Sequence, residues 1–202
     1  MKKNVCENLD LDSLPGISQM VCLDEVVSTQ LVGRELALEG SAEKTLVLAE
    51  TQTEGHGRLG REWESAAGGL YMTLLLRPES GIRFLPDLSV LSGEVVAETL
   101  NTLYGIKTRV KKPNDVYAFN ARRAKWLKIS GIITESASMN SSPSWLLLGV
   151  GVNLNNPLKL DTAVSVKTLT GKPVSREEFL QEFFRIFWLR YAAWEYSSRS
   201  KS

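Results

Sequence analysis

Two cysteines and one histidine are all that this 202-residue chain offers in soft or imidazole metal ligands. Cys6 and Cys22 lack the paired spacing of a zinc site, so no structural zinc is expected. Charge of one sign is missing as well: 24 Lys and Arg stand against 23 Asp and Glu, for a formal net charge of +1. Bulk charge therefore points to no nucleic-acid or acidic partner, and only local basic clusters are left to argue from. Long apolar runs are absent too. The opening MKKNVCENLDLDSLPGIS has no apolar stretch of signal-peptide length after its lysines, and the apolar runs further on are strand-length, too short for a membrane-crossing helix. The expectation is a cytoplasmic protein with reduced thiols, bound to neither membrane nor nucleic acid.

What is present is the composition of a globular domain, 43% hydrophobic and 23% charged. Residues 1–19, polar and broken at Pro15-Gly16, read as an N-terminal arm, and residues 20–198 as one domain. VCLDEVV suits a strand. Ser28-Thr29 then caps a helix carrying Leu31, Val32, Leu36 and Leu38. TLVLAETQT and GLYMTLLLRP read as strands on either side of a glycine-rich loop. LPDLSVLSGEVVAETLNTLYG places Leu88, Leu91, Val95, Val96, Thr99, Leu100 and Leu103 at helical spacing and stops at Gly105. KTRVKK, VYAF, LKISGIITES and WLLLGVGVNL follow as strands joined by PND, NARRAK and MNSSPS turns, a pattern of hairpins that predicts a mixed or antiparallel sheet. Ser175 and Glu178 form a capping box before a helix with Phe179, Phe183, Phe187 and Tyr191 on one face, and the tail SSRSKS frays.

Four clusters carry chemistry. Residues 50–71 interleave Gly55, Gly57 and Gly60 with His56, Arg58 and Arg61, then add Trp63 and Gly68-Gly69. Glycines let backbone approach a ligand and arginines donate to phosphate or carboxylate, so the segment is either an anion-gripping loop or a solvated surface loop. In Lys111-Lys112-Pro113-Asn114-Asp115, Asp115 can hold Mg²⁺, orient a lysine, or simply make a hairpin turn. Strand alternation predicts Lys128 and Ser130 on one face, near Gly131 and Glu135. Gly149 and Gly151, ahead of Asn153, mark close approach of either a ligand or another backbone.

Taken together and in order, these segments resemble biotin–protein ligases. AETQTEGHGRLGREWESAAGGLYMT is similar to the family's AExQxxGRGRxGRxWxSxxGGLYxS, KKPNDVY to KWPNDxx, LKISGIITE to KxxGILxE, GVGVNLNN to GxGxNxN, and VSTQ to DSTN. The resemblance covers about residues 21–157. It implies an α+β fold of the class II aminoacyl-tRNA synthetase and biotin ligase kind, a mixed, largely antiparallel sheet with helices packed on one side. It also implies an enzyme that makes biotinyl-5′-AMP from biotin and MgATP and passes the biotinyl group to a lysine of a biotin carboxyl carrier domain. Residue by residue, it implies Ser28, Thr29, Gln52, Gly69, Leu70, Tyr71, Lys128 and Gly131 around biotin. Arg58, Arg61, Trp63, Lys111, Asn114 and Asn153 fall around ATP and the adenylate, with Lys128, Arg58, Asp115 and Lys111 as catalytic groups and Asp115 as the candidate Mg²⁺ ligand. His56 and Lys112 depart from the family's arginine and tryptophan. Neither the winged helix nor the SH3-like barrel of longer members is expected. The apolar strand SWLLLGVGV permits a homodimer through the sheet, or burial within one chain. Competing readings are a lipoate or octanoyl ligase and a noncatalytic biotin-binding relative.

Overall fold

The computed structural model describes residues 9–79, 85–139 and 142–199. Residues 1–8 of the expected arm, Asn140 and Ser141 of the MNSSPS turn, and residues 200–202 of the tail lie outside the described residues. The chain runs β1 (Gln19–Val26), α1 (Thr29–Leu38), β2 (Thr45–Gln52), β3 (Leu70–Leu76), α2 (Leu85–Tyr104), β4 (Thr108–Lys111), β5 (Asp115–Asn120), β6 (Lys125–Met139), β7 (Ser142–Val152), α3 (Val166–Thr170) and α4 (Arg176–Arg199). The seven strands form one sheet in the order β1-β2-β3-β7-β6-β5-β4. Only β1 and β2 are parallel, with α1 as their crossover; every other pair is antiparallel. This is the mixed, largely antiparallel sheet that the hairpin pattern predicts.

Successive side chains of each strand point to opposite faces of the sheet. The faces of β3 and β7 carrying Leu70, Met72, Leu74, Leu146, Leu148 and Val150 meet Leu88, Val95, Val96 and Leu100 of α2 and Phe179, Phe183 and Phe187 of α4, all buried in one core. In α4, Ser175 accepts from Glu178 N at 3.2 Å, and the phenylalanines stack along one face, Phe183 and Phe187 with centroids 5.6 Å apart. The Ser175 cap and the aromatic face are as the sequence predicts. The helices do not all share that side. α1 lies on the opposite face, over β2, β3 and β7, beside a small cluster of Ala37, Leu75, Trp145 and Leu147.

Its contact stripe differs from the leucine stripe read from the sequence. Gly33 and Ala37 are buried, while Leu38 is 72% exposed. A Cβ on Gly33 would stand 2.9 Å from Thr73 Cγ2, so the helix sits too close to the sheet for a larger residue there.

Strand β7 is paired on both sides, so SWLLLGVGV is buried within the chain, the second of the two roles open to it. Part of the expected arm is packed: Leu14 is buried and Trp188 Nε1 donates to the Pro15 carbonyl at 2.6 Å. Cys22, on edge strand β1, is disulfide-bonded, which corrects the expectation of reduced thiols. Among the described residues no helix is long and apolar enough to cross a membrane.

Candidate active site

Sequence-distant motifs meet because of register. Lys111 pairs with Asp115, Asp115 with Gly131, Gly131 with Gly151, and Gly151 with Tyr71, so one cross-strand row runs through β4, β5, β6, β7 and β3. In the adjacent row Ile133 pairs with Gly149 and Gly149 with Thr73. Facing residues project to the same side of a sheet, so glycines at the row's centre leave a trough there. The trough is a cavity of about 320 Å³, lined by both rows, the first turn of α1 and the glycine–arginine segment.

A β-bulge tunes this row. Val116 pairs with Ser130 but Tyr117 pairs with Lys128, skipping Ile129. The skipped residue reverses the alternation. Lys128 therefore lines the cavity with Gly131, whereas Ser130 is fully buried and outside the lining. The expectation that Lys128 and Ser130 share a face is corrected by this bulge. Lys128 Nζ lies 2.7 Å from Asp115 Oδ1 and 5.1 Å from the centroid of the Trp63 ring.

The glycine–arginine segment is a short hairpin. Gly57 N donates to the Arg61 carbonyl at 2.7 Å and Trp63 N to the Gly55 carbonyl at 2.8 Å, around a bridge between His56 and Glu62. Its tip, Arg58–Gly60, is exposed and puts Arg58 and Leu59 at the mouth of the cavity. Its return strand lays the Trp63 indole on the glycine floor: a Cβ on Gly151 would stand 2.6 Å from Trp63 Nε1, and one on Gly131 3.0 Å from Cζ3.

At the other end, Ser28 caps α1 by accepting from Gln30 N at 3.2 Å. Gln52 Oε1 accepts from Thr29 N and Oγ1 at 2.8 and 3.1 Å, and Gln52 Nε2 donates to Ser65 Oγ at 2.8 Å. These neutral donors and acceptors form a preorganised polar end to the trough, opposite the charged end that holds Lys111, Asp115 and Lys128.

Of the expected site residues, Ser28, Thr29, Gln52, Arg58, Arg61, Trp63, Tyr71, Lys111, Asn114, Asp115, Lys128 and Gly131 line the cavity. Gly69, Leu70 and Asn153 do not. Leu70 is in the core, and buried Asn153 accepts from Asn156 Nδ2 at 3.1 Å. Asn114 Nδ2 donates to the Ile132 carbonyl at 3.1 Å, fixing the turn against β6. Burial pushes the Tyr71 phenol up against the opposing pull of the Arg176 guanidinium, keeping it a neutral donor, and it donates to the Ala66 carbonyl at 2.7 Å. No group of three or more His, Cys, Asp or Glu side chains is placed to hold a metal among the described residues. With its one carboxylate paired to Lys128, Asp115 does not fit a resident magnesium site, which needs several free oxygens.

Sequence reasoning missed Gln30, whose side chain packs on Gly149, and Arg176. Arg176 grips Glu50 through both terminal nitrogens at 2.5 and 2.7 Å and donates from Nε to the Gly69 carbonyl at 2.8 Å, while Glu50 also accepts from Gly68 N at 3.0 Å. The two side chains are each 17% exposed. Arg176→Ala leaves Glu50 without its partner, and urea unfolding is expected to show a loss of about 3 kcal/mol, with Arg176→Lys recovering only part of it.

Residues 23–153 match the model of the "Biotin/lipoate A/B protein ligase family". The chain belongs to that family. Among curated proteins, it is 34% identical over 175 residues to the bifunctional ligase/repressor BirA of Bacillus subtilis, covering 83% of this chain and 52% of that one. It is 35% identical over 152 residues to the biotin–[acetyl-CoA-carboxylase] ligase of Paracoccus denitrificans, covering 71% and 60%. The chain thus spans little more than half the length of these ligase relatives. Among solved structures, the biotin protein ligase of Aquifex aeolicus in complex with biotin and ATP superposes with a TM-score of 0.75 at 30% identity, over 90% of this chain and 74% of that one. The shared fold places the family's motifs around one trough here.

Proposed function

We propose that the chain, through residues 20–198, is the catalytic unit of a biotin–protein ligase. The observation that carries this reading is the Lys128–Asp115 pair at the edge of a glycine-floored trough, with the arginine hairpin beside it. The similar Aquifex protein binds biotin and ATP, and a trough with a polar end and a cationic end suits both. In the first step a biotin carboxylate oxygen attacks the α-phosphorus of ATP, the bond to pyrophosphate breaks, and biotinyl-5′-AMP forms. Two anions must meet, and the Lys128 ammonium offsets their repulsion and stabilises the charge that develops.

In this reading Ser28, Thr29 and Gln52 pair the ureido ring, and Tyr71 and Gly131 wall the biotin trough. Gly69 and Leu70 support that wall from behind. Trp63 lies between biotin and nucleotide. Arg58, Arg61, Lys111 and Asn114 face the phosphates and nucleoside, and Asn153 holds the loop after β7 in shape. Magnesium enters with the nucleotide, as the ion of its phosphates.

In the second step the amine of an acceptor lysine on a biotin carboxyl carrier domain attacks the biotinyl carbonyl carbon and AMP leaves. Asp115 orients Lys128 and accepts the proton that the acceptor ammonium must lose. Closure of the hairpin shields the mixed anhydride from water. A cytoplasmic location belongs to the same reading, since ATP is supplied there. The disulfide at Cys22 runs against it, because that compartment keeps thiols reduced.

Transfer of labelled biotin to an apo carrier domain, with lipoate inert, is the supporting result. Transfer of lipoate with biotin inert indicates the lipoate branch of the family, and biotin binding without pyrophosphate release indicates a noncatalytic relative. His56 removes a permanent charge that the family's arginine supplies. His56→Arg is expected to slow dissociation of biotinyl-AMP several-fold in a filter-binding assay, and an unchanged rate would remove His56 from adenylate retention.

A further inference from the structure

Charge is balanced over the whole chain but not along it. Residues 107–128 hold eight of its 24 Lys and Arg and one of its 23 Asp and Glu, Asp115, leaving 16 basic against 22 acidic residues elsewhere. These 22 residues are β4, β5 and the start of β6, the end of the sheet beyond the cover of α1.

Alternation in β5 buries Val116 and Ala118 on the α2 side and turns Tyr117 and Phe119 to the other, half-buried. Trp126 pairs with Phe119, their rings 5.4 Å apart. Over these rings lie the cations of β4 and of Lys107 just before it. Lys107 Nζ is 5.8 Å from the Phe119 centroid, the Arg109 guanidinium 4.5 Å from that of Trp126 and 5.8 Å from that of Tyr117, and Lys111 Nζ 5.7 Å from that of Tyr117. Rings so placed hold long basic side chains in fixed positions, lowering the entropy lost when they engage an anion. The ladder ends at Lys111, which pairs with Asp115 and so adjoins Lys128.

A surface of this kind suits either nucleic acid or an acidic protein. Bases bind such platforms by stacking on open aromatic faces, and here the faces of Tyr117, Phe119 and Trp126 already carry the chain's own cations. What the surface offers outward is charge. We propose that the β4–β6 face docks an acidic protein surface, that of the acceptor domain whose lysine enters at Asp115. This rests on the ligase reading for the identity of the acceptor and adds the surface that receives it. Charge complementarity of this sort steers encounter and fixes orientation, and it weakens with salt.

The test is Lys107→Glu/Arg109→Glu, with Arg109→Lys as the conservative control and Arg122→Glu, in the exposed β5–β6 turn, as a variant that leaves the rings undisturbed. Biotin-dependent pyrophosphate release is expected to stay within twofold of the parent. KM for an apo carrier domain should rise at least tenfold in the double variant and several-fold in Arg122→Glu, with kcat little changed and a weaker salt dependence. Arg109→Lys should stay near the parent. An unchanged KM and salt dependence in both reversed variants would overturn the proposal. So would an unchanged KM with loss of single-stranded oligonucleotide binding, in favour of nucleic acid. Equilibrium binding of the apo carrier domain, read by fluorescence anisotropy, separates this idea from the ligase reading, because docking on this face needs no chemistry. If adenylation is absent and binding still falls on charge reversal, the ligase reading fails and the surface stands.

Discussion

Lys128→Ala is expected to lower the rate of biotin-dependent pyrophosphate release by roughly 10²–10³-fold, with little change in the affinity for biotin. Lys128 is the cation held by Asp115 at 2.7 Å in the row of glycines, so the charge is fixed before substrates arrive and need not be recruited during the reaction. Its side chain is 32% exposed, so the alanine variant should fold, which circular dichroism will check. A loss confined to kcat places the effect in the transition state; an equal rise in KM for biotin alone would make Lys128 a binding residue. Asp115→Asn is the companion: it keeps the shape, frees Lys128 from its anchor, and should impair transfer to the acceptor lysine more than adenylation.

The second large effect is expected at the trough floor. A Cβ on Gly151 would stand 2.6 Å from the Trp63 indole, and valine adds more atoms in the same place. Trp63 must then leave the floor, and with it moves the hairpin strand that Gly55 and Gly57 hold by backbone bonds. Overpacking of this kind costs about 1–3 kcal/mol, so Gly151→Val should lower kcat/KM for biotin by up to about two orders of magnitude. Gly93→Ala is the control. The Cβ there meets Val110 at 3.4 Å and Ile132 at 3.6 Å, on the α2 side of the sheet, and activity should be unaffected.

The strands and long helices were legible because burial leaves a local trace. The apolar run Leu70–Leu76 is buried throughout, and the phenylalanine stripe of α4 faces the core. The site was legible through glycine, arginine and lysine types whose order along the chain resembles a known family. Features set by tertiary contact were not legible. The bulge at Ile129 decides whether Lys128 or Ser130 faces the trough, and no alternation rule signals a skipped residue. The close approach of α1 is carried by Gly33 and Ala37, which score as weak hydrophobes beside Leu36 and Leu38. Arg176 reaches Glu50 across 126 positions, and nothing near either residue announces the other. The motif also placed Asn153 near nucleotide, whereas its side chain is spent on Asn156 and lies outside the cavity.

The same contacts explain why the trough is firm where the sequence reads as loop. Gly68-Gly69 is held by Glu50 and Arg176, and Asn155 N donates to the Gly68 carbonyl at 2.8 Å. Gly68, at φ +99°, has no room for a side chain, since a Cβ would stand 3.0 Å from the backbone of Asn155 and Asn156. The wall at Gly68-Gly69 is thus tied to Glu50, Arg176 and Asn155, whereas the facing hairpin is held by its own backbone bonds from Gly55 and Gly57.

The most direct measurement is pyrophosphate release by the purified chain with ATP, with and without biotin, while following formation of biotinyl-5′-AMP. The account predicts release that depends on biotin, matches adenylate formation one for one, and is nearly abolished in Lys128→Ala. Biotin-independent release, or tight biotin binding with no adenylate formed, would contradict it.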